Sequence, residues 1–267
     1  RGKFDTRIAV RSNDEIGYLE HSFNDMSRKL EEYIQNVYVF QIKTKSAELK
    51  ALQSQINPHF LFNTLESIRM NALINKDAKT AKMIHILGNM FRWNIKMEGM
   101  FADLQEEIDY ASAYIELQKL RYDDAFELVL DIHADTLALG VPKLILQPLV
   151  ENAISHGLSG MISGGVIRIA AALGSDAVLI LTVSDNGRGM DEDAIRRITA
   201  GLDRPEAELD DQYNIGLCNV HQRIRILFGE GYGLSVKGQK NRGATIEIRM
   251  PAMSKEELSR HVHSGNR

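Results

Sequence analysis

An α-helical dimerisation hairpin followed by an α/β two-layer sandwich, with an N-terminal signalling helix in front, is the architecture that this 267-residue sequence predicts. Three observations predict it. Apolar residues recur at helical spacing near the N-terminus, and a second apolar stripe follows a turn signal at Asn75-Lys76-Asp77. From about residue 124 the texture changes to short β-branched segments with helical patterns between them. The expected boundaries are 1–48 for the signalling segment, 49–122 for the dimerisation region, 123–252 for the sandwich and 253–267 for a polar tail.

Composition narrows the class. Hydrophobic residues make up 44% of the chain, with 20 Gly and 5 Pro, which excludes both a disordered chain and a collagen-like repeat. A net charge of -4 argues against coating nucleic acid by bulk attraction, so no nucleic-acid partner is expected. The single cysteine, Cys218, makes neither an internal disulfide nor a metal cluster by itself. No run approaches 18 apolar residues, so no spanning helix is expected within these residues. Arg1 stands where a start methionine would, and the chain is expected to be a piece of a longer protein.

In chain order, Leu19, Phe23, Met26, Leu30, Tyr33 and Val37 are spaced 4, 3, 4, 3, 4 and form one helical stripe. A narrow stripe on a long helix is a seam for a partner helix; the alternative is a helix lying on its own domain. Ile42, Leu49, Leu52 and Ile56 do not continue that register, a stutter that could join two helical modules. Residues 58–122 read as continuing helix, punctuated by Pro58 and the region of Gly99. Ala78, Met83, Ile86, Leu87, Met90 and Trp93 form the second stripe, with Asp77 as its cap. Two such helices make an antiparallel hairpin with too little core of its own, which predicts a four-helix bundle built by two chains.

Strands are expected at 126–132, 166–172, 177–183, 232–237 and 244–250. Helices are expected at 141–156, with Pro142 in its first turn, and at 219–228, with one short helical turn at 194–198. The result is one sheet with helices on one face. Residues 254–267 read as a frayed tail without periodicity.

Four motifs carry chemistry. The first is Gln53-Ser54-Gln55-Ile56-Asn57-Pro58-His59-Phe60-Leu61-Phe62-Asn63. A proline inside a helix costs about 3 kcal/mol, and this one precedes a histidine. Asn63 lies one turn beyond His59 and could hold its ring; a bundle histidine satisfied by a neighbour is the alternative. The second places Glu151, Asn152 and His156 near the end of an apolar helix. An amide oxygen suits a magnesium ion that keeps most of its water, and the adjacent carboxylate could accept a proton. Each alone could merely cap the helix.

The third motif, Asp185-Asn186-Gly187-Arg188-Gly189, leaves a buried strand. A carboxylate there requires a partner, and the exocyclic amine of a purine is a natural one. Gly187 and Gly189 let the backbone approach a flat ring or a phosphate, although such a motif also describes many turns. The fourth, Asn214-Ile215-Gly216-Leu217-Cys218, opens a helix whose backbone donors suit a phosphate. The polar stretch between Met190 and Asn214 is a candidate lid, and Thr245 could reach the base from the last strand.

Together these motifs resemble the LytS/YesM-type sensor histidine kinases, a phosphoacceptor region joined to an ATPase domain of the GHKL type. Residues 55–63 resemble the family's phosphoacceptor signature, 148–157 its N box, 185–189 its adenine box and 215–220 its second glycine box. Leu104, Glu107, Tyr114, Gln118, Arg121 and Tyr122 fit its linker segment. The resemblance implies His59 as the phosphorylated residue, Asn152 as the magnesium ligand, Asp185 as the adenine contact and Glu151 as a base-like glutamate. It implies ATP and Mg2+, a homodimer, and onward transfer to an aspartate of a response regulator.

Asp14-Glu15-Ile16-Gly17 and the stripe after it resemble the second half of a HAMP module, which implies the cytoplasmic portion of a bacterial plasma-membrane protein, anchored through segments outside this sequence. One departure is that Gln212, Tyr213 and Asn214 stand where many relatives carry glycines. The alternatives are a degenerate nucleotide-binding scaffold without kinase activity, and a GHKL-type clamp that hydrolyses ATP.

Overall fold

The computed structural model describes residues 58–96, 99–202 and 215–264, with four isolated positions at Tyr18, Ser22, Asn24 and Met26. Apart from Met26, the stripe at 19–37, the stutter after it, the front half of the phosphoacceptor motif, and Gln212 to Asn214 lie outside the described residues. The chain divides into units 1–61 and 62–267. Of the first, the described continuous part is the opening turn of helix α1 (Pro58–Ile74).

The hairpin turn forms as its sequence demands. Lys76 adopts a left-handed φ of 59°, and Asp77 N–H donates to Ala72 O at 2.8 Å. Asp77 then caps α2 (Ala78–Lys96), its carboxylate accepting Thr80 N–H at 2.9 Å and Thr80 Oγ1–H at 2.6 Å. Only Ala72 of α1 is buried, and Ile68, Met70, Leu73 and Ile74 are exposed. The apolar face of α2 does find cover. Ile86 and Met90 pack with Tyr110 of α3 (Leu104–Arg121), and the Trp93 and Tyr110 rings lie 4.3 Å apart.

Continuous helix through 122 is not what forms. Phe101–Asp103 is a strand, β1, antiparallel to β3 (Gly140–Pro142). Pro142 is therefore a strand residue opposite Phe101, not the first turn of a helix. All of β3 is buried, so pairing and burial together outweigh the helical pattern read at 141–156. The helix there starts later, as α4 (Gln147–Asn152), with Pro148 in its first turn, and widens into a π turn at Ala153–Gly157.

The sheet has the order β2-β4-β5-β7-β6, formed by β2 (Phe126–Ile132), β4 (Gly165–Leu173), β5 (Val178–Asp185), β6 (Gly233–Gly238) and β7 (Ala244–Pro251). β2 and β4 are parallel and the other pairs antiparallel. Alternate residues, Ile167 and Ile169, Leu179 and Leu181, Ile246 and Ile248, turn to one face. There they meet Ile108 and Ile115 of α3, Leu149 of α4, and Leu217 and Ile224 of α6 (Ile215–Phe228) in a single core. Helix α5 (Glu192–Leu202) lies between β5 and α6 in the chain. The expected two layers are present.

Residues 255–264 of the expected frayed tail are helical. α7 (Lys255–Ser264) is a helix whose Leu258 is fully buried. Its signal was local: Glu257 accepts Ser254 N–H at 2.7 Å and Ser254 Oγ–H at 2.9 Å, while Ser254 Oγ accepts Glu257 N–H at 3.3 Å. That is a reciprocal capping box, spelled Ser-x-x-Glu in the sequence. Among the described residues no helix is long and apolar enough to cross a membrane.

Candidate active site

A cavity of about 460 Å³ opens where α4, the end of β5, α5 and the β6–β7 hairpin converge. Asn152, His156, Asp185 and Gly189, four of the residues singled out by sequence, line it. Asn152 arrives at the last residue of α4, and the π turn after it carries His156 and Gly157 to the cavity wall.

Asp185 sits in a collar of glycines. A Cβ on Gly157 would stand 2.5 Å from Asp185 Cγ, and one on Gly243 would stand 1.8 Å from Asp185 O. A Cβ on Gly187 would stand 1.9 Å from Gly157 O. Gly187 is thus a packing requirement beside the cavity and not part of its lining. Gly189 (φ 64°) and Gly243 (φ 83°) also need the left-handed backbone that glycine adopts without strain. Burial pushes the Asp185 carboxyl above the usual aspartate range, against the opposing pull of N–H donors from Gly187 (2.9 Å) and Ala244. Burial, with the positive charge of Arg188 added, pushes the His156 imidazole below the usual histidine value.

The Asp185–Gly189 turn is clamped from outside. Asn186 Oδ1 accepts Val166 N–H at 2.7 Å and its Nδ2 donates to Gly164 O at 2.9 Å. Arg188 N–H donates to Gly157 O at 2.9 Å and Arg188 O accepts Asn241 N–H at 2.6 Å. The turn is thereby fixed to α4 on one side and to the β6–β7 hairpin on the other.

Other expected residues stand elsewhere. Glu151 is outside the lining, its carboxylate accepting Gln147 Nε2–H at 2.7 Å. Gly216 opens α6 where a Cβ would meet Pro148 Cβ at 3.3 Å, so its role here is close packing of α6 on α4. The Leu217 side chain is 2% exposed and belongs to the core. Thr245 corrects an expectation: Ala244 lines the cavity, so strand alternation places the Thr245 hydroxyl on the opposite face. Its position is served by the Ala244 N–H on Asp185. His59 and Asn63 lie one turn apart and exposed on α1.

Sequence reasoning missed Gly157 and Gly243 as site residues, although Gly157 closes the segment 148–157 that resembles the N box. It also missed Arg188, Arg197 and Lys240, three cations in the lining that separate elements bring together. No single stretch of sequence announces them.

Asp185, half-buried and held by two backbone donors, thus shares one cavity with Asn152 and with the cations Arg188, Arg197 and Lys240. The class follows from comparison. Residues 141–254 match the family described as histidine kinase-, DNA gyrase B-, and HSP90-like ATPase, residues 47–126 match the histidine kinase family, and residues 1–32 match the HAMP domain. The sensor histidine kinase YesM of Bacillus subtilis is 38% identical over 244 residues, 91% of this chain and 40% of that protein. The sensor histidine kinase YpdA of Escherichia coli is 38% identical over 186 residues, 69% of this chain and 31% of that protein. The sensor protein kinase HptS of Staphylococcus aureus is 28% identical over 247 residues, 92% of this chain and 46% of that protein. The chain carries a histidine kinase region, an ATPase region of the histidine kinase, DNA gyrase B and HSP90 class and a HAMP region, and over most of its length it is similar to sensor histidine kinases such as YesM. It spans less than half the length of the curated relatives it matches.

Proposed function

We propose that this chain transfers the γ-phosphoryl group of ATP to a ring nitrogen of His59, and that the group then passes to an aspartate of a separate response regulator. The observation that carries the nucleotide half of this reading is the glycine collar around Asp185, a cradle that any Cβ would fill. The carboxylate of Asp185 accepts a hydrogen bond from the exocyclic amine of adenine, while the Gly157 backbone, in the cavity wall, leaves room for the flat ring. Arg188, Arg197 and Lys240 supply positive charge for the phosphates.

Among the described residues no group of three or more His, Cys, Asp or Glu could hold a metal ion. Asn152, which lines the cavity, would offer its side-chain oxygen to a magnesium ion that keeps its phosphate and water ligands, the oxygen coordination this ion prefers. When bound, that ion neutralises charge on the phosphates. His156, kept neutral by burial and Arg188, lines the same wall and accepts or donates a hydrogen bond without adding charge. Glu151 accepts the Gln147 bond at Oε1, which leaves Oε2 to orient water or accept a proton. The Gly216 and Leu217 backbone N–H groups, at the start of α6, are donors for a phosphate.

At the acceptor, neutral imidazole attacks phosphorus, the bond to the ADP oxygen breaks, and the ring proton passes to solvent or a base. Asn63, one turn away, steadies the ring. The exposed apolar residues of α1, Ile68, Met70, Leu73 and Ile74, support a second copy completing a four-helix bundle. The HAMP match supports membrane attachment through segments beyond this sequence.

The test is incubation with magnesium and γ-labelled ATP, comparing the native chain with His59→Gln. Acid-labile, base-stable label on the native chain alone is the expected result. Nucleotide binding without label in either chain overturns the kinase reading in favour of a scaffold, and steady phosphate release without label favours a hydrolysing clamp.

A further inference from the structure

The nucleotide cavity has a support that lies outside its lining. Glu107 of α3 is 1% exposed, and its carboxylate is engaged by the backbone of a distant segment. Oε1 accepts Leu144 N–H at 2.6 Å, and Oε2 accepts Ile145 N–H at 2.9 Å and Leu146 N–H at 3.4 Å. These are the donors that lead into α4, where a helix start leaves N–H groups unpaired. Leu146, at the cap position, makes no side-chain cap bond, so the oxygens come from 37 to 39 residues earlier in the chain. Leu144 holds a left-handed φ of 55° within this turn.

A second element converges on the same carboxylate. The charge of Arg223, on α6, acts on Glu107, and its Nε and Nη2 are buried without a hydrogen-bond partner among the described residues. α6 in turn packs Gly216 against Pro148 of α4. Three elements therefore meet at Glu107: the helix that continues from the hairpin, the helix that ends in Asn152, and the helix that opens with the second glycine box.

We propose that Glu107 is a positioning residue for magnesium-dependent nucleotide binding, because by holding the start of α4 it fixes where Asn152 stands; this rests on reading the cavity as the ATP site. The adenine contact depends on it less, since Asp185 sits on β5, takes its hydrogen bonds from Gly187 and Ala244, and meets the continuation of α4 only through the packing of Gly157. A residue that merely stabilised the fold would affect the two halves of the nucleotide alike. A residue that sets Asn152 affects the metal-linked half more.

The experiment measures equilibrium binding of ATP to the whole 267-residue chain, with excess magnesium and with chelator, for native, Glu107→Gln, Glu107→Asp and Asp185→Asn chains. Glu107→Gln keeps length and loses charge; Glu107→Asp keeps charge and is one methylene short, so it carries the same comparison where the Gln variant does not fold. Loss of a partner that orients a metal ligand typically costs roughly 10–100-fold in metal affinity. The expected result is magnesium-dependent ATP affinity reduced roughly tenfold or more, with chelator-state affinity reduced clearly less. Equal losses in both conditions, or no change in either, overturn the inference while leaving the site reading intact. A native chain that binds no ATP, or an Asp185→Asn chain that binds as well as native, overturns the site reading and this inference with it.

Discussion

Gly157 and Asp185, 28 positions apart on two different elements, approach so closely that a Cβ on Gly157 would stand 2.5 Å from Asp185 Cγ and 2.5 Å from its Oδ1. The contact locks the π turn after Asn152 to the end of β5. It also predicts a mutation. Gly157→Ala forces the carboxylate aside, and ATP affinity is expected to fall roughly 10–100-fold, the worth of a hydrogen bond to a charged group. Titration calorimetry checks this against Gly231→Ala, where a Cβ meets nothing within 4 Å.

Asp185→Asn is expected to trade binding for stability. Burial raises the folded-state pKa of Asp185 above its unfolded value, so folding favours the protonated acid. The stability this group contributes is full below the unfolded aspartate pKa and is lost as pH rises through the raised folded value. At pH 7 the Asn variant is therefore more stable than the native chain without nucleotide, and the difference shrinks toward pH 4. Thermal melts at the two pH values decide it. ATP affinity falls about 10–100-fold at pH 7.

The C-terminal helix is held by one side chain and one cap. Leu258→Ala removes a fully buried leucine and is expected to cost about 2–5 kcal/mol. Ser254→Ala opens the capping box and costs about 0.5–2 kcal/mol. Urea denaturation of both variants measures these losses. Equal stability after deletion of residues 254–267 would show that α7 contributes nothing.

Where α2 packs on α3 and the turn after it, the Trp93–Tyr110 contact together with the apolar area it buries outweighs the ion pairs. Lys82 pairs with Glu116 at 2.7 Å and Lys79 with Asp123, all four side chains being largely exposed, and each pair is worth about 0.2–1 kcal/mol. The Trp93–Tyr110 pair adds about 0.5–1.5 kcal/mol beyond the area it buries. Trp93→Ala is thus expected to destabilise more than Lys79→Ala and Lys82→Ala combined. High salt should erase the lysine effects and leave the tryptophan effect.

The sequence determined what local physics decides. The period of two in 244–250, the Asp77 turn and cap, and the motifs holding Asn152, His156, Asp185 and Gly189 were legible because spacing and residue type suffice there. The capping box at Ser254 was equally local and was overlooked.

Tertiary structure alone decided the rest. Whether Val141 and Pro142 form a helix or a strand depended on Phe101, a partner some 40 residues away whose pairing buries both. Thr245 was the candidate read from the sequence, and the pleat put Ala244 on the cavity face in its place. Glu107 stood in the linker pattern without a task, because the N–H groups it satisfies belong to Leu144, Ile145 and Leu146. A helical or strand period reports which face of an element is apolar. It carries no record of which distant backbone donor a buried carboxylate will meet, and that pairing is fixed only when the layers close.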